Sequence, residues 1–177
     1  MRRNVTMIPH FLWAEFDRLT GRQVHDLLRL RQDVFVVEQN CPFPEIDGRD
    51  PAAEHLLAFD PTRKGGALVG TLRLLDGAVA PHGSSLATLL SDAATTIGRI
   101  VVAPEYRGVK LGGLLLTEAI RQVETTRGPH IMQLSAQAHL EGFYARFGFG
   151  AVGEEYLEDN IRHIDMRRPA PATESAA

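Results

Sequence analysis

The chain has 177 residues, 44% hydrophobic and 23% charged, a balance that suits one ordinary globular domain and excludes the composition of a disordered chain. Its 19 basic and 22 acidic residues are scattered to a net charge of -3, which excludes a positive field suited to a nucleic-acid backbone. No apolar run approaches the roughly 20 residues that span a bilayer, and Cys41, the sole cysteine, excludes an intramolecular disulfide.

Pro9, His10, Glu15 and Asp17 interrupt the apolar stretch that a signal peptide opening on Met1-Arg2-Arg3 would need. The expected location is therefore the cytoplasm, with neither nucleic acid nor membrane as partner; a homodimer is left open. Phe11 to Phe16 alternates apolar and polar residues and predicts an edge strand. Thr20 caps a helix whose positions Val24, Leu27, Leu28, Val34 and Phe35, with the Arg31 stem, follow the 3.6-residue period. From Glu38 to Pro51 turn formers dominate, and Pro42 bars a helix, so this is an ordered loop. His55–Phe59 and Ala67–Leu75, separated by Lys64-Gly65-Gly66, predict an antiparallel hairpin.

Between Asp76 and Ala94 the conformation stays open, with room for at most a short helix around Leu86, Leu89 and Leu90. The branched residues of Thr96–Ala103 predict a central strand buried on both faces. Leu111–Thr125 is the clearest helix, with Leu111, Leu115, Ala119, Ile120 and Val123 on one face and Gly128-Pro129 as its stop. Ile131–Ala136 reads as a strand, Leu140–Phe147 as a short helix closed by Gly148, and Ala151–Arg167 as strand material broken at Asp159-Asn160. No repeat is present. The expectation is one mixed α/β domain of the α+β type over residues 1–168, followed by a disordered tail over 169–177.

The strongest chemical signal is a buried-type strand, a turn at Pro104 to Gly108, and a long helix entered through Lys110-Leu111-Gly112-Gly113. A helix N-terminus carries unpaired N–H groups and partial positive charge, and glycines let an anion approach the main chain. The Gly-Lys-Ser/Thr of a phosphate-binding loop and the dinucleotide glycine spacing are both missing. From these residues alone, glycines that merely allow a tight connection stay an open alternative. Cys41 reads as structural rather than as a nucleophile, and Glu45, Asp47, Asp50, Glu54 and His55 match neither a calcium nor a zinc spacing, so no metal is expected.

The run Ile100-Val101-Val102-Ala103-Pro104-Glu105-Tyr106-Arg107-Gly108, with Lys110-Leu111-Gly112, resembles motif A of the GNAT superfamily of N-acetyltransferases. The resemblance implies a GNAT fold, a mixed and largely antiparallel sheet flanked by helices whose central strands part near Val102 to admit acetyl-CoA. It assigns pantetheine contacts to Ile100, Val101 and Val102, and pyrophosphate contacts to Arg107, Gly108, Val109, Lys110, Leu111, Gly112 and Gly113. Lys110 stands where the family signature has its first glycine, so its backbone must tolerate a Cβ atom.

Gln137 to Phe149 resembles the family's second motif, Asn-x-x-Ala-x-x-x-Tyr-x-x-x-Gly-Phe, with Gln137 in the Asn position near the cofactor and Tyr144 on the tyrosine that lies near the CoA sulfur. Read from the residues alone, Tyr144 packs with Phe143 and Phe147; the resemblance makes it the general acid. Arg31 to Pro42, Asp47-Gly48-x-Asp50, Gln137-Ala138-His139 and Glu158 to Ile164 further resemble the ElaA subgroup, over Leu28 to Arg167.

The implied activity is transfer of an acetyl group to a primary amine, of a small molecule or a peptide, by direct attack in a ternary complex. Tyr144 would protonate the departing thiolate, the Val102 amide would hold the oxyanion, and His139 or Glu38 would complete the catalytic set. Arg31, Phe35, His55, Arg73, Glu158 and His163 are the acceptor-side candidates; each histidine has a structural alternative, and Glu38 has an ion pair with Arg31 as its own. Two other functions fit the pattern: a catalytically inactive acyl-CoA sensor or interaction module, and acyl-homoserine-lactone synthesis, which shares an Arg-x-x-x-Phe pattern like Arg31 to Phe35.

Overall fold

Strand-forming segments of period two and branched residues build one seven-stranded sheet in the computed structural model, which describes residues 8–63, 65–77 and 93–171. The strands are β1 (His10–Glu15), β2 (Glu54–Asp60), β3 (Ala67–Asp76), β4 (Ala94–Val102), β5 (Ile131–Gln137), β6 (Gly150–Glu158) and β7 (Ile161–Arg168), in the order β1-β2-β3-β4-β5-β7-β6. The helices are α1 (Gly21–Arg31), α2 (Leu111–Arg127) and α3 (Glu141–Ala145). Antiparallel pairs β1–β2, β5–β7 and β6–β7 stand beside the parallel pair β4–β5, which makes the sheet mixed, as expected. None of the described helices is long and apolar enough to cross a membrane.

The described residues fall into two compact units, the chain up to Arg73 with Arg99–Leu115, and Leu74–Gly98 with the chain from Leu116 onward. In the first, α1 opens on a capping box: the Gln23 amide donates to the Thr20 hydroxyl at 3.3 Å, and the Thr20 amide donates to the Gln23 side chain at 2.8 Å. The predicted helix does not run unbroken to Phe35. It ends at Arg31 and widens into a π-helical stretch, Gln32–Glu38, where the Gln39 amide reaches the Val34 carbonyl at 3.2 Å and the Cys41 amide reaches that of Val36 at 3.2 Å. Leu30 and Val34 pack with Val101 and Ala103, and Phe35, Leu68 and Tyr106 close over them. Gly70 on β3 permits this approach, since a Cβ there would lie 3.0 Å from Leu115 and 3.2 Å from the Val101 carbonyl.

β4 departs from the predicted doubly buried strand: it is mostly buried as far as Ile97 and mostly half-buried beyond, and Arg99 adopts a left-handed φ of 52°. In the second unit, the β4–β5 ladder joins Ala94–Thr96 to Ile131–Gln133, so it stops well before Val102, where the parting was expected. β5 alternates strictly, with Met132, Leu134 and Ala136 buried on one face and Gln133, Ser135 and Gln137 on the other. β6 carries an irregularity between Val152 and Tyr156. The short helix predicted over Leu140–Phe147 is a 3₁₀ turn, Ala138–Leu140, followed by α3. The open segment around Leu86, Leu89 and Leu90, Lys64 of the hairpin turn and residues 172–177 of the tail lie outside the described residues.

Candidate functional site

The segment that drew most attention runs from β4 through a 3₁₀ turn, Pro104–Tyr106, to the start of α2. The Ala103 amide donates to the Val69 carbonyl at 2.9 Å, and the Tyr106 hydroxyl donates to Asp60 at 2.7 Å, so the turn is tied to β3 and β2. Gly108 at φ 77° and Lys110 at φ 66° then curl the chain, and the Leu114 amide opens the helical ladder on the Lys110 carbonyl at 3.2 Å. The amides of Leu111, Gly112 and Gly113 precede that ladder and are left for an outside acceptor. A Cβ at Gly108 would meet nothing within 4 Å, and Val109 and Lys110 are exposed, so the approach is open. Left-handed residues on either side of Val109, beside a helix start, suit an anion with several oxygens, and Ile100 and Val102 are half-buried with Val101 buried.

Lys110 shows how the missing glycine is accommodated: its backbone takes the left-handed conformation that glycine adopts freely, at a cost of about 1 kcal/mol for a residue with a Cβ. Lys110→Gly is therefore expected to raise stability by up to about 1 kcal/mol, or roughly 2 °C in Tm, on a thermal melt. An unchanged or lower Tm would contradict the strain.

Glu38, expected as a catalytic residue or an Arg31 partner, instead grips Arg107 bidentately, with its two oxygens accepting from Nη1 at 2.6 Å and Nη2 at 2.9 Å. The Arg107 hydrogen bond holds its carboxyl below the usual range, which makes it a weaker proton acceptor. The pair links the end of the π-helical stretch to the start of the proposed anion loop.

Arg31 is fully buried and finds its partners in the loop that follows, donating to Glu45 through Nε and to Asp50 at 2.7 Å through Nη1. Arg73 donates through Nη1 to Asp47 at 2.8 Å and to the same Asp50 oxygen at 2.9 Å. Arg99 lies 2.8 Å from Glu45 and 3.2 Å from Asp47. Three guanidiniums thus balance three carboxylates. His55, also fully buried, donates from Nε2 to the Asp50 carbonyl at 3.0 Å, and burial lowers its proton affinity. Arg31, His55 and Arg73 were expected on the acceptor side; the structure closes each of them inside this network, and packs Phe35 against Leu30 and Val34. Cys41 is buried and forms no disulfide.

Burial pushes the carboxyls of Asp47 and Asp50 up, but hydrogen bonds and charge from Arg73 on the first, and from Arg31 and Arg73 on the second, outweigh it and leave both below 3.8. Glu45 goes the other way, since burial outweighs Arg31 and Arg99. A carboxyl depressed in the folded state contributes stability that is present above its unfolded value and lost as pH falls through its folded one. Glu45 has the opposite sign and offsets part of this. Urea midpoints are expected to hold above about pH 5 and to fall below about pH 4; a midpoint unchanged down to about pH 2 would contradict the two depressed aspartates.

In the second unit, Tyr144 on α3 is 7% exposed, with its ring edge-on to Phe143 at 5.0 Å and to Phe149 at 6.3 Å. Burial pushes its phenol up to about 12, so it stays protonated at neutral pH. Gln137 ends β5 directly opposite His163 on β7. His139 is exposed on the 3₁₀ turn between β5 and α3, and Glu158, half-buried at the end of β6, has a carboxyl oxygen 4.0 Å from His163 Nδ1.

Several residues of these clusters were not singled out beforehand. Asp47 and Asp50 carried a subgroup resemblance and were weighed only as metal ligands, not as partners of buried arginines, and nothing local marked Arg99, whose conformation shows only in three dimensions. Tyr156 and Asp165 were also missed: the Tyr156 hydroxyl donates to Asp165 at 2.8 Å and also meets the Ser135 hydroxyl. Their signal was the polar face of β5, where Ser135 sits opposite Asp165.

The acetyltransferase (GNAT) domain family matches residues 63–169 of this chain. The ElaA protein of Escherichia coli K12 is 38% identical over 154 residues, covering 85% of this chain and 90% of its own. A UPF0039 protein of Mycobacterium tuberculosis is 37% identical over 160 residues, covering 89% of this chain and 90% of that one. Among solved structures, an acyl-CoA N-acyltransferase from Pseudomonas aeruginosa matches with a TM-score of 0.77 at 39% identity, over 91% of this chain and 99% of that one.

Proposed function

The chain belongs to the GNAT acetyltransferase family, in its ElaA-like branch, and from that premise we propose that it moves an acetyl group from acetyl-CoA to a primary amine of a small molecule or peptide. The observation that carries this reading is the main chain from Ile100 to Gly113. Left-handed Gly108 and Lys110 and the first-turn amides of α2 form an open, anion-seeking cradle at the end of a strand. Its donors suit a pyrophosphate, and Lys110 adds a cation. Arg107, held by Glu38, contributes backbone and loop shape rather than a free guanidinium. The strand residues Ile100, Val101 and Val102 supply main-chain groups to pantetheine, and Gln137 and Tyr144 complete the cofactor side. The setting is the cytoplasm.

A bound thioester supplies an activated acetyl carbonyl. The amine attacks that carbonyl directly, the Val102 amide donates to the developing oxyanion, and the Tyr144 phenol protonates the thiolate as the C–S bond breaks. The buried ion network of Arg31, Arg73 and Arg99 positions the loop from Glu38 to Asp50 rather than binding substrate.

Calorimetric titration with CoA and a thiol-release assay on a panel of primary amines test the proposal. Micromolar CoA affinity and release of thiol that depends on added amine are expected. Protein that binds neither CoA nor acetyl-CoA would refute it.

A further inference from the structure

β5 presents two chemically distinct faces, and its polar face continues across two more strands. Gln137 faces His163 and Ser135 faces Asp165 on β7, while Tyr156 on β6 faces His163. These five side chains therefore share one face of the sheet. The Tyr156 hydroxyl donates to Asp165 at 2.8 Å and accepts from Ser135, which leaves the phenol no freedom to turn. Its ring lies against the His163 imidazole, with centroids 6.1 Å apart and planes 27° from parallel.

His163 is fixed at its other side as well. Nδ1 lies 2.9 Å from the Ile161 carbonyl, which can only accept, so Nδ1 carries the hydrogen and Nε2 the lone pair of the neutral ring. Nε2 has no protein partner among the described residues, and the side chain keeps 14% exposure. The charged and titratable groups around the ring are Tyr156 and Glu158 on β6, Asp165 on β7 and His139 on the turn packed against β7. Asp165 is 1% exposed and one of its oxygens is buried without a hydrogen-bond partner, a carboxylate retained at a cost inside the sheet.

The polar face also lies at an informative end of β5. From Gln137, opposite His163, the chain turns through Ala138–Leu140 into α3, which carries Tyr144. One short connection thus joins the strand beside an imidazole with an open lone pair to the helix that bears the proposed acid.

We infer, on the acetyl-transfer reading proposed above, that His163 Nε2 is the proton acceptor for the incoming amine, and that Tyr156, anchored by Ser135 and Asp165, is its positioning residue. His139, exposed on its turn, lacks any comparable anchor. An acceptor arrives as an ammonium and must lose a proton before its lone pair can attack. That proton passes to His163 and then to solvent. The C–N bond forms and the C–S bond breaks, the thiolate takes the Tyr144 proton, and the second proton released by nitrogen restores the phenol. One thioester and one ammonium yield one amide, one thiol and one proton.

The test measures kcat/KM for an acetylated amine across about pH 6 to 9, with CoA affinity by calorimetry, for His163→Gln and Tyr156→Phe. His163→Gln is expected to lose about 10²-fold at neutral pH, to recover as rising pH supplies free amine, and to bind CoA as the wild type does. Tyr156→Phe is expected to lower kcat by roughly 10-fold with KM and the shape of the pH profile retained, because the base is displaced but present. His163→Gln equal to wild type at every pH would overturn the inference while leaving acetyl transfer intact. A variant that loses CoA affinity together with turnover would also overturn it, by marking a folding role. A wild-type protein that binds CoA yet acetylates no amine would overturn the transfer reading itself and this step with it.

Discussion

Tyr144→Phe is expected to bind CoA within about twofold of wild type and to turn over amines about 10³-fold more slowly, a barrier increase of about 4 kcal/mol. The ring is what Phe143 and Phe149 contact edge-on, so phenylalanine preserves the packing and removes only the hydroxyl. With its proton affinity raised to about 12, the wild-type phenol holds its proton throughout the neutral range and delivers it only to a strong base such as a departing thiolate. The wild-type rate should accordingly show no alkaline decline from this group below about pH 10. Single-turnover kinetics beside calorimetry make the check; an unchanged rate removes Tyr144 from the mechanism.

Asp50→Ala is expected to destabilise the fold by about 3–5 kcal/mol, or roughly 10 °C in Tm. One Asp50 oxygen accepts from both Arg31 and Arg73, each guanidinium being nearly inaccessible to water. Removing the carboxylate leaves three guanidiniums, Arg31, Arg73 and Arg99, sharing the two remaining carboxylates of Glu45 and Asp47, and solvent cannot make up the deficit. Asp50→Asn, which keeps an acceptor but not the charge, should fall between alanine and wild type. Urea midpoints with both variants provide the measurement, and a loss below about 1 kcal/mol for alanine would show the network to be dispensable.

Features governed by neighbours in the chain were legible beforehand. Thr20 with Gln23 announced the start of α1, the apolar stripe from Leu111 to Val123 announced α2, and the resemblance carried by Ile100 to Gly113 pointed to the family that relatives then established. Features decided by distant partners were not. The period placed Arg31 on the helix's apolar face, but its guanidinium is satisfied by Glu45 and Asp50, 14 and 19 residues away. Arg99 is an ordinary strand residue on paper, and its left-handed backbone and its contacts with Glu45 and Asp47 show only in three dimensions. Tyr156 and Asp165 looked like unremarkable strand positions until register set one beside Ser135 and the other beneath its hydroxyl.

The widened turn at Gln32–Glu38 lets the chain between Leu30 and Cys41 hold a residue that regular winding has no room for. Five-residue spacing accommodates one amino acid more than a regular α-turn would, and so absorbs the roughly 100° by which that residue would otherwise rotate everything downstream. Wound as a regular α-helix with every residue kept, the stretch would turn Glu38 away from Arg107 and Phe35 away from its packing partners. A one-codon deletion that closes the wide turn should consequently be tolerated better than the same deletion within α1, where nothing takes up the rotation.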